Sequence, residues 1–221
     1  MMLGDPLFRD RIHAGKALGS QLQSLAFEAT PLVLALPRGG VPVGFEVACA
    51  LAADLDLFLV RKIGVPGQEE LAMGAIASGG TRVLNQALIS DFKISPVQVE
   101  QIIAREQQEM TRREKLYRGG RPALAIKGRI VILVDDGLAT GASMLAAVRA
   151  VEAKEPKRVI VAVPVASSKA CEELRQYVDE VVCLQTPAPF YSVGNWYEDF
   201  SQTSDTEVQE LLQQAFLDHL T

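Results

Sequence analysis

The chain has 221 residues, of which 48% are apolar and 22% charged, and its 22 Lys and Arg against 27 Asp and Glu give a formal net charge of −5. This is the composition of a globular protein long enough to bury a full core, and it excludes a disordered or fibrous chain. The acidic balance also argues against a surface for DNA or RNA, because such surfaces need clustered Lys and Arg.

Neither a membrane span nor a secretory leader is expected. The longest apolar runs, such as residues 130–134 and 159–166, reach five to eight residues, whereas a bilayer span needs roughly 20. A signal-peptide core is excluded by early charges, namely Asp5, Arg9, Asp10 and Arg11. We therefore expect a cytoplasmic protein that binds neither membrane nor nucleic acid.

Short runs of Val, Ile and Leu alternate with helical patterns, which is typical of a parallel sheet with helices on both faces. A first helix is predicted over residues 5–28, because Asp5 suits the N-cap and Pro6 the first helical position. Residues 43–53 form the crossover after the first strand. The predicted strands lie near residues 31–36, 55–61, 129–135, 158–163 and 179–184.

The rest of the chain surrounds this core of about residues 29–185. Residues 62–86 are rich in Gly and predict a flexible loop with a two-stranded flap. A long helix follows, capped by Ser95 and ended by Gly119-Gly120. Residues 186–221 leave the sheet as a small C-terminal hood that ends in a helix near 205–218. We expect a single domain over residues 1–221.

The cysteines and histidines predict no metal site or nucleophilic triad. Cys49, Cys171 and Cys183 are odd in number and have apolar neighbours, so they are interpreted as buried hydrophobic residues of a reducing compartment. His13 and His219 lie near opposite ends of the chain, with no Cys or carboxylate at ligand spacing. No GxSxG motif occurs.

The most informative stretch is VILVDDGLATGAS, residues 131–143. A buried strand delivers Asp135 and Asp136 to its carboxyl end, where ionised carboxylates can accept hydrogen bonds from a vicinal diol. A helix then begins among small residues whose backbone N–H groups suit a phosphate monoester: Ala139, Thr140, Gly141, Ala142 and Ser143. A diol and a phosphate at this separation describe a ribose 5-phosphate, although an ordinary strand-to-helix turn with a solvated acidic pair is the alternative.

These residues resemble the phosphoribosyl pyrophosphate (PRPP) motif of the type I phosphoribosyltransferases. The resemblance extends over most of the chain through weaker motifs in the expected order. It implies a doubly wound, mostly parallel α/β sheet with strand order 3-2-1-4-5-6 and one antiparallel edge strand. The family usually has an aliphatic residue or Ser at the position of Gly137, which is a departure in this chain.

A second motif, LPRGG at residues 36–40, follows the first strand. Its glycines let the backbone approach a ligand, and Arg38 supplies a fork of donors for phosphate oxygens. The resemblance implies that Arg38 and the Gly39 backbone hold pyrophosphate, and that the Pro37–Arg38 peptide is cis. The alternative is a Gly-rich turn with a surface arginine.

Arg61 and Lys62 end the predicted second strand. Similar relatives carry a basic pair here at the root of a catalytic loop, which implies a role in pyrophosphate binding for both residues and a catalytic role for Lys62. Relatives often have further cations within the loop, whereas residues 63–80 of this chain contain none. A solvated lysine at a strand end is the alternative for Lys62.

Residues 190–200, FYSVGNWYEDF, hold five of the thirteen aromatic residues. They predict either a packed lid or a platform on which a planar base stacks, with Tyr191 and Trp196 as candidates. The run resembles a segment of hypoxanthine-guanine-type enzymes. Those enzymes have a Lys where this chain has Val163-Pro164-Val165, which argues against a 6-oxopurine as the base.

The sequence thus predicts a phosphoribosyltransferase that displaces pyrophosphate from PRPP with a nitrogenous base, and Arg38, Lys62 and Asp136 are the predicted catalytic residues. Mg²⁺ is expected to arrive on PRPP near Asp135 and Asp136, with no metal site built by the protein alone. We expect a homodimer. The rival interpretations are a regulator that senses PRPP or nucleotides without turnover, and a hydrolase of ribosyl phosphates.

Overall fold

A computed structural model describes residues 5–218 of the chain, so His219 lies outside the described residues. In chain order, the helices and strands are α1 (Arg11–Gln23), β1 (Leu32–Ala35), α2 (Gly40–Leu51), β2 (Asp54–Leu57), β3 (Val60–Val65), β4 (Gln68–Ala77), β5 (Thr81–Leu84), α3 (Gln86–Asp91), α4 (Pro96–Arg118), β6 (Ile130–Val134), α5 (Ala142–Glu152), β7 (Arg158–Val165), α6 (Ser168–Leu174), β8 (Glu180–Gln185), a 3₁₀ helix (Val193–Trp196) and α7 (Asp205–Asp218).

The main sheet contains five strands in the order β2-β1-β6-β7-β8. Alternate residues of a strand face opposite sides of a sheet, and here both sides are apolar. Leu32 and Leu34 pack with α5 and α6, whereas Val33 and Ala35 pack with α1, α2 and α7. The core therefore lies in two layers, one on each face of the sheet.

The predicted doubly wound α/β fold is confirmed, but the predicted antiparallel edge strand is wrong, and the main sheet has five strands and not the six of the order 3-2-1-4-5-6. Within residues 5–218, every pair of neighbouring strands in the main sheet is parallel. The strand order reverses between β1 and β6. The loops after these two strands therefore flank the crevice in which doubly wound sheets bind ligands.

The segment predicted as one strand over residues 55–61 is two strands in two sheets. The chain leaves the main sheet after β2, because the Phe58 N–H still donates to the Ala35 carbonyl, whereas the Leu59 N–H donates to Ser78 Oγ. Strands β3, β4 and β5 then form an antiparallel sheet of three strands, which we call the flap, residues 60–84. The predicted flap of two strands was therefore one strand short.

The first helix begins at Arg11 and ends at Gln23, so the predicted range of 5–28 is wrong at both ends. Its N-cap is Asp10, which accepts a hydrogen bond from the His13 N–H at 2.7 Å. The preceding residues are extended because the Leu7 and Phe8 N–H groups donate to the Trp196 carbonyl. Pairing with the hood thus overrides the Asp5-Pro6 helix signal.

The long helix α4 has the predicted caps. Ser95 and Gln98 form a reciprocal capping box, Pro96 is the first helical residue, and Gly119 ends the helix with a φ of 59°. Helix α7 lies where the C-terminal helix was predicted. No helix within residues 5–218 has the length and apolar character needed to cross a membrane.

The cysteines follow their prediction only in part. All three are thiols, with Cys171 buried and Cys183 half-buried. Cys49 is exposed on α2, which corrects its interpretation as a buried residue. Its apolar neighbours in sequence face the other side of the helix, toward the core.

Candidate active site

The acidic pair lies at the crevice between β1 and β6. In the parallel register of β1 and β6, Ala35 lies opposite Val134, so the loops after both strands leave the sheet at the same edge. The Asp136 N–H donates to Asp135 Oδ1 at 2.9 Å, and both carboxylates are partly buried. Burial and the neighbouring charge of Asp136 raise the pKa of Asp135 well above its usual value.

Asp136 also has a cationic partner that sequence reasoning missed. Arg11 Nε donates to Asp136 Oδ2 at 2.8 Å. Burial raises the pKa of Asp136, and the Arg11 guanidinium opposes that rise. No sequence signal identified Arg11, because it precedes Asp136 by 125 positions and belongs to no motif.

The LPRGG loop touches the acidic pair directly. A Cβ on Gly39 would lie 2.0 Å from Asp136 Oδ2, and one on Gly40 would lie 2.8 Å from the Val134 carbonyl oxygen. Both positions therefore require glycine. The Pro37–Arg38 peptide is cis, as the resemblance implied. The Arg38 side chain reaches Asp205 at the start of α7, with Nη1 at 3.5 Å from Oδ1.

The predicted phosphate loop opens α5. Gly141 is the N-cap with a φ of 75°, and the Ala142 N–H approaches Thr140 Oγ1 at 3.4 Å. Ser167 Oγ donates to the Ala139 carbonyl at 2.7 Å and holds the start of the loop. Ala139, Thr140, Ala142 and Ser143 are exposed, so this end of the helix is accessible to an anion.

The two basic residues of β3 have different surroundings. Arg61 contacts α4, with its Nε donating to Glu106 Oε2 at 2.6 Å. Lys62 lines a cavity of about 650 Å³ between the flap and α5, together with Thr140, Ala142 and Ser143. The structure therefore brings Lys62 to the phosphate loop, and it holds Arg61 in an ion pair.

The two aromatic candidates of the hood also differ. The side chain of Tyr191 is 62% exposed, whereas that of Trp196 is 6% exposed and packs in a cluster with Phe8 and Val165. The indole Nε1 is buried without a hydrogen-bond partner among the described residues. Tyr191 can therefore meet a ligand, and Trp196 belongs to the packed interior of the hood.

Tyr197 is a second site residue that the sequence analysis did not single out. Its hydroxyl donates to the Asp136 carbonyl at 2.6 Å, so the hood closes directly onto the acidic pair. Burial and the charge of Asp136 raise the pKa of Tyr197, which keeps the hydroxyl protonated as a donor. The aromatic run predicted a lid, but a sequence could not show which ring reaches Asp136.

A doubly wound sheet with an acidic pair and a helix N-terminus at the point of strand reversal is the architecture of type I phosphoribosyltransferases. A sequence model described as "Phosphoribosyl transferase domain" matches residues 10–199. The chain belongs to this family.

Relatives agree with this assignment. A Mycobacterium tuberculosis protein provisionally named a phosphoribosyl transferase is 44% identical over 212 residues, covering 96% of this chain and 48% of that protein. The chain thus spans about half the length of the curated relatives it matches. The crystal structure of TT1426 from Thermus thermophilus is 47% identical with a TM-score of 0.83, covering 94% of this chain and 98% of that one. A hypothetical protein from Neisseria gonorrhoeae shares the fold alone, with a TM-score of 0.51 and 12% identity. The match covers 97% of this chain and 98% of that one.

Proposed function

We propose that the protein transfers ribose 5-phosphate from PRPP to a nitrogenous base and releases pyrophosphate. The observation that carries this proposal is the acidic pair beside the N-terminus of α5, at the crevice between β1 and β6. In this assignment the backbone and hydroxyls of residues 139–143 bind the 5-phosphate. Asp135 and Asp136 accept hydrogen bonds from the ribose hydroxyls.

The reaction breaks the bond between C1 of the ribose and the pyrophosphate oxygen, and forms a bond from C1 to a ring nitrogen with inversion. The leaving oxygen gains negative charge as the bond breaks. We assign Lys62, Arg38 and the Gly39 backbone to that charge, with Lys62 favoured by its place in the cavity that reaches the phosphate loop. Arg61 joins them only after exchanging Glu106 for pyrophosphate.

Mg²⁺ is proposed to arrive with PRPP. Within residues 5–218, no cluster of three or more His, Cys, Asp or Glu side chains could hold a metal ion. The donor set at the site, two adjacent carboxylates, fits an ion whose other ligands are substrate phosphates and waters. Such an ion would neutralise pyrophosphate charge next to Asp135 and Asp136.

The acceptor is proposed to be a heterocyclic base that stacks on Tyr191. A 6-oxopurine is disfavoured because buried Val163, Pro164 and Val165 stand where a lysine would be needed. A homodimer and a cytoplasmic location also belong to this proposal, and thiols at all three cysteines favour a reducing compartment.

The second candidate is a PRPP-sensing or nucleotide-sensing regulator without turnover. It is favoured by the ion pairs of the two flap arginines, because Arg61 is paired with Glu106 and Arg82 with Glu100. Such a protein would keep the ribose phosphate site without supplying cations to the leaving group.

The test is a screen of purines, pyrimidines and related heterocycles with PRPP and Mg²⁺, with pyrophosphate release as the readout. Base-dependent release supports the transferase. Release with water alone identifies a hydrolase, and binding of PRPP without release identifies a regulator.

Calorimetry tests the assignment of the acidic pair itself. The double variant Asp135→Asn/Asp136→Asn should lose on the order of 3 kcal/mol of PRPP binding free energy, or about a hundredfold in affinity. Glu210→Gln on the exposed side of α7 is the control for an altered charge. Unchanged PRPP affinity in the double variant would remove the assignment of the acidic pair.

A further inference from the structure

Arg11 is fixed on three sides at the edge of the site. Its Nε donates to Asp136 Oδ2 at 2.8 Å, and its Nη1 donates to the Ser201 carbonyl at 2.7 Å. The guanidinium carbon lies 4.0 Å from the centroid of the Phe200 ring. The side chain is only 11% exposed. One partly buried guanidinium therefore joins the start of α1, the hood and the acidic pair.

Three of the four polar groups of Asp136 make hydrogen bonds to neighbouring residues. Its N–H donates to Asp135 Oδ1, its carbonyl accepts from the Tyr197 hydroxyl, and its Oδ2 accepts from Arg11. Within residues 5–218, its Oδ1 accepts no hydrogen bond from another residue. A planar carboxylate fixed through one oxygen presents the other in a set direction.

The surroundings of the pair explain why a cation is needed there. Asp135 and Asp136 are adjacent partly buried acids, and the LPRGG loop approaches so closely that a Cβ on Gly39 would lie 3.1 Å from Arg11 Nε. Two negative charges in such a site repel each other and are costly to bury. The fork of an arginine can meet Asp136 and the Ser201 carbonyl at once while it stacks on Phe200, which a lysine cannot do.

We propose that Arg11 is a positioning residue of the ribose site. It holds Asp136 through Oδ2, so that Oδ1 faces a ribose hydroxyl, and it balances one charge of the acidic pair. Arg11 acts through Asp136 and does not contact the substrate. This inference rests on the proposed function, because it takes the ribose hydroxyls as ligands of Asp136.

A double-mutant cycle tests whether Arg11 acts through Asp136. PRPP affinity is measured by calorimetry with Mg²⁺ for the wild type, Arg11→Gln, Asp136→Asn and the double variant. We expect Arg11→Gln to weaken PRPP about tenfold, since one oriented charge-assisted contact is disturbed. The double variant should bind no more weakly than Asp136→Asn. Arg11→Lys should recover part of the loss, because it restores charge without the fork.

Two controls separate positioning from a structural role. Arg9→Gln removes the same charge from an exposed side chain two positions earlier and should leave PRPP affinity unchanged. Phe200→Leu removes the stacking partner, so it should lower Tm and change PRPP affinity by less than about twofold. If Arg11→Gln does not fold, the cycle is measured with Arg11→Lys in its place.

The outcomes are distinct for the inference and for the proposed function. Additive losses in the double variant, or an equal loss in Arg9→Gln, would overturn the role of Arg11 while the ribose site stands. Full PRPP affinity in Arg11→Gln would do the same. Failure of the wild-type protein to bind PRPP would overturn the proposed function, and the inference with it.

Discussion

At the scale of single residues, the buried carboxyl of Asp135 makes the stability of the folded protein depend on pH. Its pKa in the folded protein is raised by burial and by the charge of Asp136. A raised folded pKa means that the folded state binds the proton more tightly than the unfolded chain does. The resulting stabilisation is complete below the unfolded pKa and is lost as pH rises through the folded pKa.

Asp135→Asn should therefore stabilise the protein at pH 7.5, because the neutral amide removes a buried charge and its oxygen can still accept from the Asp136 N–H. The expected gain is on the order of 1 kcal/mol, or about 2–4 °C in Tm for a domain of this size. The gain should shrink at pH 4. Thermal unfolding at both pH values is the measurement, with Glu210→Gln as the exposed control, and an equal Tm of variant and wild type at pH 7.5 would contradict the argument.

Lys62 is expected to act on charge that develops during the reaction. If so, Lys62→Ala should lower kcat by about 100-fold and change the KM for PRPP much less. Steady-state kinetics with the base found by the screen measures both constants. Lys16→Ala, which changes an exposed lysine of α1, should change neither. An effect confined to KM would limit Lys62 to uniform binding of PRPP.

At the scale of elements, the loop after β6 and the hood are fitted to each other at Gly137. A Cβ there would lie 2.5 Å from Val193 Cγ1 and 3.0 Å from the Val165 carbonyl oxygen. The departure from the family motif at this position thus has a steric reason, since the 3₁₀ helix of the hood packs directly on the loop.

Gly137→Ala should displace that helix and cost about 1–3 kcal/mol, the usual range for an overpacked site. Val193→Ala in the same chain should restore part of the loss, because it removes the nearer of the two contacts. Tm and the emission of Trp196, which ends the 3₁₀ helix, measure the effect. Equal losses in the single and double variants would show that the contact with Val193 is not the cause.

Tyr191 and Trp196, the two base-stacking candidates of the hood, should respond oppositely to substitution. Tyr191→Ala should raise the KM of the base several-fold with little change in Tm, because Tyr191 is exposed. Trp196→Ala should cost about 3–5 kcal/mol, since it empties a packed cluster. Trp196→Phe should cost much less, because it also removes an indole N–H without a partner. Kinetics and thermal unfolding of all three variants separate stacking from packing.

The sequence predicted those elements whose signals are local. Helix α4 carries its own caps at Ser95 and Gly119, and the buried strand before Asp135 is a continuous apolar run. The start of α1 and the split between β2 and β3 depend on hydrogen bonds to distant backbone and side chains, such as that from Leu59 to Ser78. The pairing of Arg11 with Asp136 could not be predicted for the same reason, because an ion pair between residues 125 positions apart produces no local sequence pattern.

At the scale of the whole molecule, one buried ion pair connects the end of α4 to the main sheet. Arg118, the last residue of α4, donates through Nε to Asp56 Oδ1 at 2.8 Å and through Nη2 to the Leu57 carbonyl at 2.9 Å. Asp56 Oδ2 accepts from the Leu124 N–H at 3.0 Å. Both side chains are 8% exposed. The pair therefore fixes α4 and the return segment of the chain against the edge strand β2.

Removing Arg118 should leave the buried Asp56 without its cation, and removing Asp56 should leave Arg118 with only Glu114, at 3.5 Å. Loss of one partner of a buried pair typically costs about 3–5 kcal/mol. We expect this loss for Asp56→Leu and for Arg118→Met, measured as the free energy of urea unfolding. The double variant should regain part of it, because apolar side chains replace both desolvated charges while the Leu57 and Leu124 N–H groups lose their acceptor. Arg82→Met is the matched control, since its pair with Glu100 is exposed and should contribute less than about 1 kcal/mol. Additive losses in the double variant would show that packing around the two side chains, and not the uncompensated charge, sets the stability of this edge.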